Sequence, residues 1–174
     1  MPNILKRFYN IKVPAPHKEE AEFGKVKAGL AMCKACFSFQ HNKSWHHDAP
    51  IYPPEAQNEK LLVRFILCPA CRMIKERMYE GKLVIENVPT RFSEELERLI
   101  RSYSERAFNE DCQHRLIDLK KINNYFVVTT TENQLATKLA RKIKDAFNKV
   151  QFKALYSKAP SDASLVKATF LYAA

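Results

Sequence analysis

Apolar and polar positions change period several times along the chain, and each change predicts an element. Leu61-Leu-Val-Arg-Phe-Ile-Leu67 is an almost unbroken apolar run of strand length, read as a buried strand. The stretch from Cys68 to Gly81 reads as a short helix, with Pro69 in its first turn and Gly81 as the terminating residue. Lys82-Leu-Val-Ile-Glu-Asn-Val88 is a short strand stopped by Pro89. Leu96, Leu99, Ile100, Tyr103 and Ala107 then form a helical stripe, with Thr90 or Ser93 as cap and Glu94, Glu95 and Glu97 at the N-terminal end.

Further on, two strands, Arg115 to Ile122 and Tyr125 to Thr131, flank Asn123-Asn124. Asparagine tolerates positive φ, so this is a two-residue hairpin signal. The threonine run that ends the second strand is expected to cap a helix from Glu132 to Lys149. Leu135, Leu139, Ile143, Ala146 and Phe147 share its apolar face, while Lys138, Arg141, Lys142 and Lys149 lie off it. Strands from Gln151 to Ser157 and Leu165 to Leu171 complete the pattern, joined through Pro160-Ser-Asp162.

The chemistry enters with Cys33-Lys-Ala-Cys36 and Cys68-Pro-Ala-Cys71. A two-residue spacing points two thiolates at one ion, and four thiolates match the tetrahedral preference of zinc. The second pair opens a helix, whose N-terminus favours an anionic thiolate. The expected cofactor is therefore a structural Zn2+ held by Cys33, Cys36, Cys68 and Cys71. A redox dithiol or four plain buried thiols are the competing readings; a redox motif needs a single pair in a βαβ setting. Cys112, the odd cysteine, reads as a plain buried or half-buried thiol.

Between the pairs lies Phe37 to Asp48, with strand-like flanks and a polar tip, then a proline-rich turn from Pro50 to Pro54. His41, His46, His47 and Asp48 invite an enzyme reading, in which a histidine completes an open zinc site. Four thiolates saturate the ion without them. Trp45 reads either as a base contact or as an anchor under the metal loop.

Together these elements predict an α+β fold. A treble-clef or zinc-ribbon-like N-terminal module precedes a largely antiparallel β-sheet domain with helices on one face. The divisions are 1–30 as a flexible basic arm, 31–88 as the zinc-binding module and 89–174 as an α-ββ-α-ββ domain.

Composition narrows the function classes. The chain has 174 residues, 46% of them hydrophobic, and a net charge of +10. No apolar run reaches membrane-spanning length, and the absence of a signal-peptide core together with the thiol pattern leads us to expect the cytoplasm. Residues 1–18 carry Lys6, Arg7, Lys12 and Lys18 with no acid, whereas residues 93–114 hold six acids against three bases. A basic arm and a basic C-terminal half suit a polyanion such as RNA. Neither an RNP-type aromatic pattern nor a Gly-x-x-Gly loop is present.

The string Cys33-x-x-Cys36, Trp45, Cys68-Pro-Ala-Cys71 and Gly81-Lys-Leu-Val-Ile resembles bacterial zinc-binding relatives of the Nmd-three family of large-ribosomal-subunit export adaptors. Asp111-Cys-Gln-His114-Arg-Leu-Ile and Val128-Thr-Thr-Thr131 with Leu135-Ala136 are also similar to those relatives. The resemblance implies a zinc module that touches the large subunit or its RNA. The export adaptors carry two zinc sites and long additional domains, so their export role does not transfer.

The leading expectation is thus a non-enzymatic, zinc-stabilised RNA- or ribosome-binding protein acting in ribosome assembly or translation regulation. Its contacts are expected at Lys6, Arg7, Lys12, Trp45, His46, Lys138, Arg141, Lys142 and Lys149. The alternatives are a protein–protein adaptor with a structural zinc, and a zinc-dependent hydrolase using the His41/His46/His47 loop.

Overall fold

The computed structural model describes residues 30–41, 43–47, 63–156 and 164–171. The expected basic arm, with Lys6, Arg7 and Lys12, lies outside the described residues, as does the Pro50–Pro54 turn.

Two sheets organise the chain, giving the α+β class the sequence predicts. The first combines β1 (Leu30–Cys33), β2 (Phe39–His41), β3 (Ser44–His46) and β4 (Val63–Ile66) in the order β3-β2-β1-β4. β1 to β3 run antiparallel, but β4 lies parallel to β1, pairing Cys33 with Ile66. Parallel pairing brings the C-terminal ends of β1 and β4 side by side, which is where each cysteine pair begins.

Helix α1 (Pro69–Glu76) follows at once, with Pro69 in its first turn as expected. It stops earlier than the sequence predicts. Arg77 takes the left-handed conformation (φ 54°) and its N–H bonds the carbonyl of Ile74, so Arg77 rather than Gly81 ends the helix. Gly81 instead opens the next strand, packed closely against Thr130, Glu132 and Ala136. A Cβ there would meet Thr130 Oγ1, lie 2.6 Å from the carbonyl oxygen of Glu132 and 2.8 Å from Ala136 Cβ.

The second sheet contains β5 (Gly81–Glu86), β6 (Leu116–Ile122), β7 (Tyr125–Thr130), β8 (Val150–Tyr156) and β9 (Ser164–Phe170) in the order β6-β7-β5-β9-β8. β5 is antiparallel to β7 and parallel to β9. Its place corrects the boundary expected at residue 88. The strand from Gly81 is the centre of the C-terminal sheet, which therefore has five strands rather than four.

A 3-10 turn at Thr90–Phe92 leads into α2 (Ser93–Glu110), and α3 (Asn133–Ala146) follows β7. Neither start carries a side-chain cap bond. The threonines expected to cap α3 bond elsewhere: Thr130 Oγ1 donates to the Glu132 carbonyl at 2.7 Å, and Thr131 Oγ1 accepts from Arg115 N–H at 2.9 Å. Leu83, Ile85, Phe126, Val128 and Val166 from the sheet meet Leu96, Ile100, Leu135, Leu139 and Ile143 from the helices in one buried core. Ala146, assigned to that face by the periodicity, is exposed at the last turn, whereas Phe147, assigned to the same face, is buried.

Candidate metal centre

Cys33 closes β1, and Cys36 returns on a tight turn in which Phe37 N–H bonds the Cys33 carbonyl at 2.9 Å. Cys68 sits two residues past β4 and serves as N-cap of α1, its sulfur accepting the Cys71 N–H at 3.4 Å. The four sulfur atoms lie within 4.8 Å of one another, and Cys36 Sγ is 3.7 Å from Cys68 Sγ. A tetrahedron with metal–sulfur arms of about 2.3 Å has edges of about 3.8 Å, so the spacing fits one ion. Among the described residues this is the only group of side chains placed to share a metal.

Donors already aim at the sulfurs. Cys33 Sγ accepts from the N–H of Cys68 at 3.3 Å and of Ala35 at 3.5 Å, and the buried Ser38 hydroxyl stands 3.2 Å from Cys36 Sγ. Such bonds hold thiolate charge and orient ligands. Burial pushes the Cys33 thiol up, but the backbone bonds from Cys68, Cys36 and Ala35 outweigh it and bring the thiol down to about 6. The Cys68 thiol is pushed well up, first by its hydrogen bond with the Cys71 side chain and then by burial. Burial also raises Cys36. Metal-free, the quartet therefore holds protons that an arriving ion must displace.

The module's core extends past its own strands. Ala31, Trp45 and Ala70 pack with the cysteines, and so does Cys112 from the loop after α2, 1% exposed. Cys112 is thus a buried thiol, as expected, but it belongs to the metal module. Its neighbour Gln113 accepts the Ala70 N–H at 3.2 Å through Oε1 and directs its side-chain Nε2–H to Cys112 Sγ at 3.5 Å. The Arg115 guanidinium lies 4.1 Å above the Phe108 ring, and Thr131 N–H bonds the Arg115 carbonyl at 3.0 Å. This collar fastens the metal module to the second sheet. Sequence reasoning attached no role to Gln113 or Phe108; the only local signal is the turn in which Gln113 N–H bonds Asp111 Oδ1 at 2.8 Å.

The residues expected to touch nucleic acid separate into distinct places. Trp45 lies on the inner face of β3, 8% exposed, opposite Gln40 and against the cysteine cluster. Of its two readings from the sequence, this burial fits the anchor under the metal loop rather than an open base contact. His46, its neighbour, is exposed on the other face. His47 donates through Nε2 to the Phe108 carbonyl and meets the Phe108 ring edge to face at 4.6 Å, so it fastens β3 to α2. His41, His46 and His47 border a cleft of about 640 Å³ with Asn109, Glu110 and Asp111. The histidines form no second metal group among the described residues.

Lys138, Arg141 and Lys142 are exposed along one side of α3. None of the three takes part in an ion pair among the described residues. Lys149 falls beyond the helix end, exposed, with a left-handed φ of 60°. No helix of the described residues is long and apolar enough to cross a membrane. No protein-family model matches the chain, and no curated protein matches it.

Proposed function

We propose that this chain is a non-enzymatic RNA-binding protein whose N-terminal module is held by a structural zinc ion. Four sulfur donors complete the tetrahedron zinc prefers and leave no position for water or substrate, so the ion supplies folding energy rather than catalysis. The observation that carries the RNA reading is the unpaired row Lys138, Arg141, Lys142 on the outer side of α3. Cations spaced three and four residues apart on a helix present charge at intervals that suit successive phosphates. The resemblance to relatives of the Nmd-three family points to the large ribosomal subunit as the RNA partner. Four thiols kept free to bind a metal support a reducing compartment, the cytoplasm, as the setting for this work.

The test is metal analysis together with sedimentation of the tagged protein from lysate at low and high salt, with and without ribonuclease. One zinc per chain and salt-labile, nuclease-sensitive migration with ribosomal particles is expected. Migration as a free monomer discards the ribosome, and a nuclease-resistant complex replaces RNA with a protein partner.

A further inference from the structure

The alternation of β3 sends Trp45 inward and His46 outward. His46 pairs with Phe39 on β2, Phe39 with Met32 on β1, and Met32 with Phe65 on β4. Residues directly opposite on neighbouring strands share a face, so these four side chains form one row across the outer surface of the metal-module sheet. The row spans about 14 Å, three strand spacings. His46 is exposed, Phe39 and Met32 are half-buried, and Phe65 is 62% exposed.

Phe37 stands in the knuckle at the end of β1, 63% exposed with a φ of 62°. A phenylalanine there carries both backbone strain and wetted apolar surface, where glycine would carry neither.

The sheet's own turns carry cations, while Glu110 and Asp111 stand across the cleft at the His46 end of the row. Residues 30–47 and 63–75 contain no aspartate or glutamate; of their cations, Arg64 pairs with Ala31 and lies on the inner face, while Lys34 and Lys43 are exposed in the turns. Lys34 follows the end of β1 and Lys43 lies in the β2–β3 turn, so exposed cations bracket the row at both ends of the strands. Open rings between cations fit an unpaired nucleic acid strand, whose bases stack on the rings while its phosphates meet the lysines. A duplex hides its base faces.

We infer that the outer face of the metal-module sheet is a stacking platform for single-stranded RNA, with Phe65, Met32, Phe39 and His46 as its floor. It rests on the RNA-binding reading above and names the surface and the form of RNA it takes. The platform accommodates two or three bases, and α3 supplies phosphate contacts elsewhere on the molecule.

The experiment uses the full, zinc-loaded chain and a fluorescein-labelled single-stranded RNA decamer of mixed sequence, against the same sequence as duplex. Phe65→Ala and His46→Ala each weaken single-strand binding about tenfold. The slope of log K against log salt stays unchanged in both, whereas Lys138→Ala lowers it by about 0.7. Phe65→Tyr retains affinity. Both positions are exposed, and one bound zinc with an unchanged thermal midpoint shows that each variant folds.

Photocrosslinking of 4-thiouridine RNA then maps to peptides carrying residues 32–46 or Phe65. Undiminished binding by Phe65→Ala and His46→Ala, equal affinity for duplex, or crosslinks confined to residues 133–149 overturns the platform and leaves the RNA reading in place. Failure of the unaltered protein to bind either RNA at low salt overturns both.

Discussion

Gln113 Oε1 accepts a hydrogen bond from the backbone N–H of Ala70 at 3.2 Å, tying the loop after α2 to the first turn of the metal helix. The first N–H groups of a helix have no partner within it, and here a residue 43 positions away supplies one. Gln113→Ala leaves that donor unmatched beside the cysteine cluster. The expected loss is about 1 kcal/mol, read as a lower urea midpoint for the metal module.

The chain's single tryptophan, Trp45, is buried against the cysteines and reports on that module alone. Chelation is expected to shift its emission to the red while much of the circular dichroism of the second sheet persists. Cys68→Ser does the same without chelator and releases the metal. Full metal content in that variant would remove Cys68 from the ligand set.

Gly81 illustrates a constraint of a different kind. Gly81→Ala places a methyl 2.6 Å from the Glu132 carbonyl oxygen, a backbone atom with little room to move. The expected cost is about 1–3 kcal/mol, seen as a lower thermal midpoint with zinc content unchanged.

Phe37→Gly runs in the opposite direction. Relief of the left-handed φ is expected to raise stability by about 1 kcal/mol while single-strand RNA affinity falls. Unchanged affinity in this variant removes Phe37 as a contact, and unchanged stability removes the strain.

Tyr79 provides a pH test. Burial raises its phenol above the ordinary value of 10.0. Above that pH the unfolded chain loses this proton first, so the folded state holds more protons and stability falls as pH rises. Tyr79→Phe lacks that loss. The stability difference between variant and parent, from urea titrations at pH 8 and pH 10.5, is expected to move toward the variant at the higher pH.

Local patterns in the sequence were readable where one residue type fixes the geometry. The cysteine pairs come together as their spacing requires, and Asn123 at φ 54° makes the turn between β6 and β7. The stripe Leu96, Ile100 and Ala107 is buried on α2. What periodicity leaves open is which surface an element meets. The apolar run after Gly81 looks the same whether it closes the metal module or centres the next sheet; pairing with β7 and β9, far along the chain, decides it. Likewise period-two alternation puts Trp45 and His46 on opposite faces, but only the packing of the cysteine cluster shows which face is inside. Gln113 was invisible for a related reason, since its partner is a backbone group.

The pairing of β5 has a consequence for synthesis. Gly81 meets Ser164, so the central strand leaves the ribosome well before the neighbour that covers its second edge. Until β9 emerges, β5 has only β7 beside it and carries an open edge in the middle of the future sheet, a template for mispairing with other chains. Among the described residues the core of the metal module contains nothing later than Cys112, so it can close while that edge is still open. Zinc supply during translation is therefore expected to bear on the yield of the whole protein, because an unclosed module leaves its own strands open ahead of that edge.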